Sequence, residues 1–97
     1  MAEVAYRDAA LVDLERIEEV APGAWSIIRT AITMLSDHPL VGRIADDESG
    51  ARELVISRGK TGYVALYEYD QVREQVLIVH VRHQRESGFS EGPDQAD

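Results

Sequence analysis

Arg82, His83 and Arg85 fall within four consecutive residues near the carboxy end and form the densest positive patch in the chain. Guanidinium groups stay charged at physiological pH and fork onto carboxylates or phosphates, and an imidazole exchanges a proton near neutrality. The chemistry open to this cluster is phosphate contact, proton transfer on a phosphodiester, or recognition of an acidic protein segment. The structural alternative is an ordinary solvated strand end. His80 precedes His83 by three residues, but three steps along an extended chain turn side chains to opposite faces, so the pair does not read as a metal site.

Other residues could join such a surface. Arg52 opens an apolar run beside a loop, where it pairs with Asp46, Asp47 or Glu48 or helps to bind a partner. Tyr63, Ala65, Tyr67 and Tyr69 alternate onto one face of an extended run, with Val64, Leu66 and Glu68 on the other. Both faces are too apolar for free solvent, and tyrosine suits a docking surface because it buries much area yet tolerates partial water contact. Gly59 and Gly62 flank Lys60-Thr61, but the glycine spacing and following helix of a phosphate loop are missing, so the segment reads as a hairpin turn. With no cysteine in the chain, disulfides and thiol chemistry are excluded.

These residues need a scaffold. Val4 and Tyr6 alternate within Glu3 to Arg7, the period of a short strand. From Asp8, placed as a helix cap, Leu11, Leu14, Ile17 and Val20 recur at helical spacing with Asp13, Glu15, Glu18 and Glu19 between them, an amphipathic helix with an acidic outer face. Pro22-Gly23 interrupts that pattern. Ala24, Ile27, Ile28, Ala31 and Leu35 resume it, with Trp25 as a packing residue, until His38-Pro39 ends it. Residues 39 to 51 read as a surface loop. Three runs rich in Val, Ile and Tyr follow, Leu54 to Ser57, Tyr63 to Tyr69 and Val76 to Val81, and their short connectors predict antiparallel neighbours. The result is an α+β domain: an amino-terminal strand and two-helix hairpin packed on one face of a mostly antiparallel sheet.

Ninety-seven residues, 44% of them hydrophobic, suffice for one core. The domain is placed at 1–89, with an acidic tail over 90–97 expected to be mobile. The formal charge of −8 argues against wholesale nucleic-acid binding. Its distribution is uneven: residues 1–50 carry four basic and ten acidic side chains, whereas 51–89 carry six and five. The amino terminus lacks the basic and apolar stretches of a secretory signal, and no apolar run approaches membrane-spanning length, so a soluble cytoplasmic protein is expected.

Arg52-Glu53-Leu54-Val55-Ile56, then Gly62-Tyr63-Val64-Ala65-Leu66-Tyr67, then Val81-Arg82-His83-Gln84-Arg85-Glu86-Ser87-Gly88-Phe89 resemble the carboxy-terminal half of RelE/ParE family toxins. The likeness is to the branch ending in Arg-His-Gln-Arg-Glu, and the preceding helices extend it over nearly the whole chain apart from the tail. It implies a toxin of a bacterial type II toxin-antitoxin module, associated with plasmid stabilization and growth arrest, held in a hetero-oligomer by a small antitoxin that wraps it. Some members of the family cleave mRNA on the ribosome without a metal; others poison DNA gyrase. Nuclease members commonly carry an arginine at the position that here looks like Val64, and the terminal catalytic tyrosine of some resembles Phe89. Neither residue supplies the missing group, so the resemblance favours a ParE-like inhibitor of gyrase, with no cofactor and no membrane partner. In that reading Arg52, Tyr63, Tyr67, Arg82, His83 and Arg85 contact target or antitoxin. The alternatives are a ribosome-dependent endoribonuclease, with His83 as general base or acid and Arg82 and Arg85 steadying the phosphate, and a target-less homologue that binds only antitoxin.

Overall fold

The computed structural model describes residues 1–58 and 61–84. Gly59, Lys60, Arg85, Phe89 and the acidic tail lie outside the described residues. The elements in chain order are β1 (Glu3–Tyr6), α1 (Asp8–Val20), α2 (Ala24–Thr33) with a 3-10 turn at Met34–Ser36, β2 (Arg43–Asp46), β3 (Ala51–Arg58), β4 (Thr61–Asp70) and β5 (Gln75–His83). They form a five-stranded sheet in the order β1-β5-β4-β3-β2. β3, β4 and β5 are the antiparallel meander the sequence predicts. β1 pairs with β5 in parallel, which the long path from β1 through the helices and back allows.

The helical hairpin and the sheet share one core. Ala10, Leu14, Ala24, Ile28, Ile32 and Leu35 from the helical segment meet Leu54, Ile56, Tyr63, Ala65, Tyr67, Val76, Ile78 and Val81 from the strands. Trp25 packs against this cluster from its edge. The tight reversal between the helices uses Gly23 at φ 91°, a left-handed conformation that favours glycine. Glu18 then secures the joint, because its carboxylate accepts the backbone N–H groups of both Gly23 and Trp25 at 2.9 Å. The first amides of α2 gain an anion where helix geometry leaves donors unpaired.

Several details depart from the sequence reading. Arg7, not Asp8, holds the cap position of α1, and no side chain caps it. Leu11 and Val20 lie on the predicted apolar stripe but are 38% and 82% exposed, because α1 reaches the core mainly through Ala10 and Leu14. The segment read as a loop contains β2, a strand whose four residues are all exposed. Its partners run Arg43 with Glu53, Ile44 with Arg52 and Asp46 with Ala51, leaving Ala45 as a bulge that breaks any alternation in the sequence. A second irregularity lies in β5, where Leu66 pairs with His80 and Tyr67 with Ile78. Val79 is extra, so the buried positions shift phase from Val76 and Ile78 to Val81.

The tyrosine face is the covered face of the sheet. Tyr63 and Tyr67 are 3% and 0% exposed and belong to the core. Tyr67 extends through it to hold the start of β2: its hydroxyl donates to Pro39 O at 2.8 Å and accepts Gly42 N–H at 2.9 Å. Burial pushes that hydroxyl's pKa upward, opposed by the Gly42 hydrogen bond and the Arg52 charge, so it stays neutral and able to donate near pH 7. A side chain at Gly42 would lie 2.6 Å from the same oxygen, which explains the glycine. Tyr67→Phe removes the shared partner of two backbone groups and is expected to cost about 1–3 kcal/mol in urea denaturation with little change in circular dichroism.

Candidate functional site

The site is built where β1 stops. Tyr6, the last residue of β1, pairs with Ile78, and Arg7 N–H closes the ladder on Ile78 O at 2.9 Å. β5 continues to His83 with no strand on that side among the described residues. α1 passes this open edge, and Asp13 occupies it: one carboxylate oxygen accepts Val81 N–H at 3.0 Å and meets His80 Nδ1 at 3.1 Å. A helix side chain thus takes the place of the missing strand and ties α1 to the sheet.

Between the second half of α1, the end of β5 and the start of β4 lies a groove of about 820 Å³. Ile17, Val20, Ala21, Tyr63 and Val81 provide apolar lining, and Arg16, His80, Arg82 and His83 provide cationic or titratable groups. Val20 explains itself here, since it lines the groove and faces solvent rather than the core. Tyr63 and His83 meet edge to face with ring centroids 5.4 Å apart, which fixes the imidazole at the groove wall. Arg16 and Arg82 are exposed and form no ion pair among the described residues. In a chain of net charge −8, two uncompensated guanidiniums beside an apolar floor suit an acidic, partly apolar polypeptide segment.

The structure brings together three of the residues singled out in the sequence: Tyr63, Arg82 and His83 line the groove. Arg85 falls outside the described residues. Arg52 is elsewhere and is structural: its Nη1 donates to Leu40 O at 3.2 Å and to Gly42 O at 2.6 Å, while it is Arg43 that pairs with Glu53 at 3.3 Å. The expected partners Asp46, Asp47 and Glu48 do not hold it. Tyr67 is interior and bonded to the same loop, so it presents no surface to a partner. Asp13, Arg16, Val20 and His80 were missed. A signal existed for two of them, since Arg16 is the one basic residue within α1 and Val20 continues an apolar stripe past the helix's buried stretch.

Across residues 4–88 the chain matches the model of the ParE toxin of the parDE type II toxin-antitoxin system. The chain belongs to the ParE toxin family. No curated protein matches this ParE-family chain. Among solved structures it is similar to a chain of the RelBE2 toxin-antitoxin complex from Mycobacterium tuberculosis, with 29% identity, 86% of this chain and 98% of that one covered, and a TM-score of 0.64. The isolated E. coli RelE toxin has the same fold at 11% identity, with 98% of each chain covered and a TM-score of 0.69. A chain of the intact E. coli RelBE complex matches at 10% identity over 84% of this chain and 95% of that one, with a TM-score of 0.68. Among the described residues of the ParE-family chain, no helix is long and apolar enough to cross a membrane.

The carboxylate of Asp13 is the joint on which the groove wall depends. Asp13→Ala leaves Val81 N–H without its acceptor and is expected to lower stability by about 1–3 kcal/mol, whereas Asp13→Asn, which retains an acceptor, should lose less. Urea denaturation of the two variants beside the parent reads the difference.

Proposed function

We propose that this toxin of a type II toxin-antitoxin module acts as a ParE-like inhibitor of DNA gyrase, and that its antitoxin neutralises it by lying along the groove between α1 and the open half-edge of β5. The observation that carries the target assignment is the apolar residue at the middle of the sheet face opposite the helices. Val64, cross-strand from Arg82 and Val55, stands where phosphate-binding nuclease members carry an arginine. Leu66, two residues on, lies between Glu53 and His80, and Glu68 pairs with Leu77, so the middle of this face is apolar and mixed in charge, with Arg43 already paired to Glu53. With valine in place of the nuclease arginine, a scissile phosphate at the middle strand lacks one of the cations that would neutralise its charge. A protein target suits this face better, and the match to the ParE toxin model supports the same direction.

The antitoxin assignment rests on the groove's composition. An acidic segment placing apolar side chains against Ile17, Val20 and Tyr63 would set its carboxylates near Arg16 and Arg82, and a segment in extended form could continue the line of β1 along β5. The similar chains come from complexes described as toxin-antitoxin pairs, which supports a partner of this kind.

The second reading, ribosome-dependent mRNA cleavage, is favoured by one observation: His83 and Arg82 share the groove rim with Arg16, a proton carrier beside two cations. Induced expression of the chain alone separates the readings. Growth arrest with broken or relaxed DNA and intact mRNA is the expected outcome; arrest with cut mRNA and normal supercoiling would assign the nuclease activity, and unimpaired growth at good soluble yield would leave a protein that binds only antitoxin.

A further inference from the structure

At the sheet edge farthest from β1, the start of β2 and the residues leading into it hold three aliphatic side chains in water: Leu40, Val41 and Ile44 are 58%, 54% and 53% exposed. A loose loop would fold such side chains inward, but this one is pinned from beneath. Tyr67 grips Pro39 O and Gly42 N–H, Arg52 grips Leu40 O and Gly42 O, and Val41 N–H donates to His38 O at 3.2 Å. The molecule therefore uses a fully buried tyrosine and an arginine to keep an apolar knuckle rigid and outward. Rigid exposed apolar groups lose little conformational freedom when a partner covers them, which is the economy of a preformed docking surface.

The charge beside the knuckle indicates what covers it. The turn after β2 is fixed by Asp46, whose carboxylate accepts Glu48 N–H at 3.1 Å and the Ser49 hydroxyl at 3.0 Å. Asp47 and Glu48 project from that turn, exposed and in no ion pair among the described residues. Of the two guanidiniums at this edge, Arg43 is paired with Glu53, and Arg52, cross-strand from Ile44, is directed onto Leu40 O and Gly42 O. An apolar knuckle next to bare carboxylates repels nucleic acid and fits a protein surface that surrounds an apolar recess with lysine and arginine. Enzymes that act on DNA carry cationic surfaces of that kind in order to hold phosphates.

We propose that Leu40, Val41 and Ile44, flanked by Asp47 and Glu48, form a second docking surface whose occupant is the cationic, DNA-handling surface of the target enzyme. The proposal rests on the reading of this chain as a gyrase-directed toxin. It places target contact at the β2 edge and antitoxin contact at the groove, with β3 and β4 between them.

The test is inhibition of supercoiling by purified gyrase, titrated with the parent chain, with Leu40→Ser/Val41→Ser, with Asp47→Lys/Glu48→Lys, and with Val72→Ser as a control at a 93% exposed position in the β4–β5 turn. All the substituted side chains are more than half exposed or on a surface turn, so thermal unfolding should match the parent. Each double variant is expected to need at least about tenfold more protein for half inhibition, while Val72→Ser matches the parent. Double variants that inhibit within about twofold of the parent would overturn the proposal while leaving the gyrase reading intact. A parent chain that leaves gyrase untouched would overturn the reading, and this proposal with it.

Discussion

β1 pairs with Gln75 to Ile78 and ends, while β5 runs on to His83. That mismatch of length is the constraint around which the functional end of the molecule is arranged. Exposed ladder groups at a sheet edge invite another strand, and here the chain answers the invitation only in part, with the carboxylate of Asp13 on Val81 N–H. One carboxylate reaches one amide and one imidazole. The remaining space between helix and strand stays open as the groove, with Val20 at its wall and Arg16 and Arg82 beside it. Had β1 been longer, its strand would fill this space and the cationic residues would border a closed sheet.

The opposite edge follows a different logic. β2 is short, bulged and charged, which protects an edge strand against indiscriminate pairing. Its lead-in loop is nonetheless held firmly, because Tyr67 crosses the core to reach it and Arg52 bonds two of its carbonyls. The same tyrosine that fills the interior therefore dictates the shape of the surface. The two ends of the sheet carry opposite characters, cationic and recessed at the groove, acidic and protruding at β2, and a protein that must be silenced by one partner and act on another has use for both.

Much of the architecture was legible because its signals are local. Valine, isoleucine and tyrosine runs with short connectors define β3, β4 and β5, and helical spacing broken at Pro22-Gly23 defines the hairpin. β2 was not legible, since Arg-Ile-Ala-Asp has no alternating pattern and its bulge removes what period a longer strand would show. Alternation separated the two faces of β4 but carries no sign saying which one the helices cover, so the tyrosines read as an open docking face when Tyr67 is interior and Tyr63 is a core residue that reaches only the groove's lining. At the site, the cluster of Arg82 and His83 stood out by charge density alone. Asp13 did not, because an acid among acids on a helix reads as solvated, and the partner that gives it meaning is 68 residues away.

On the proposed reading, the toxin is neutralised at the groove beside the open half-edge of β5. Hydrogen exchange of the chain alone and in complex with its antitoxin tests this directly. Amide protection is expected to rise most from Arg16 to Ala21, at the end of α1, and in β5 from His80 to His83. A stable complex that leaves both segments exchanging as in the free chain, with protection gained elsewhere, would contradict it.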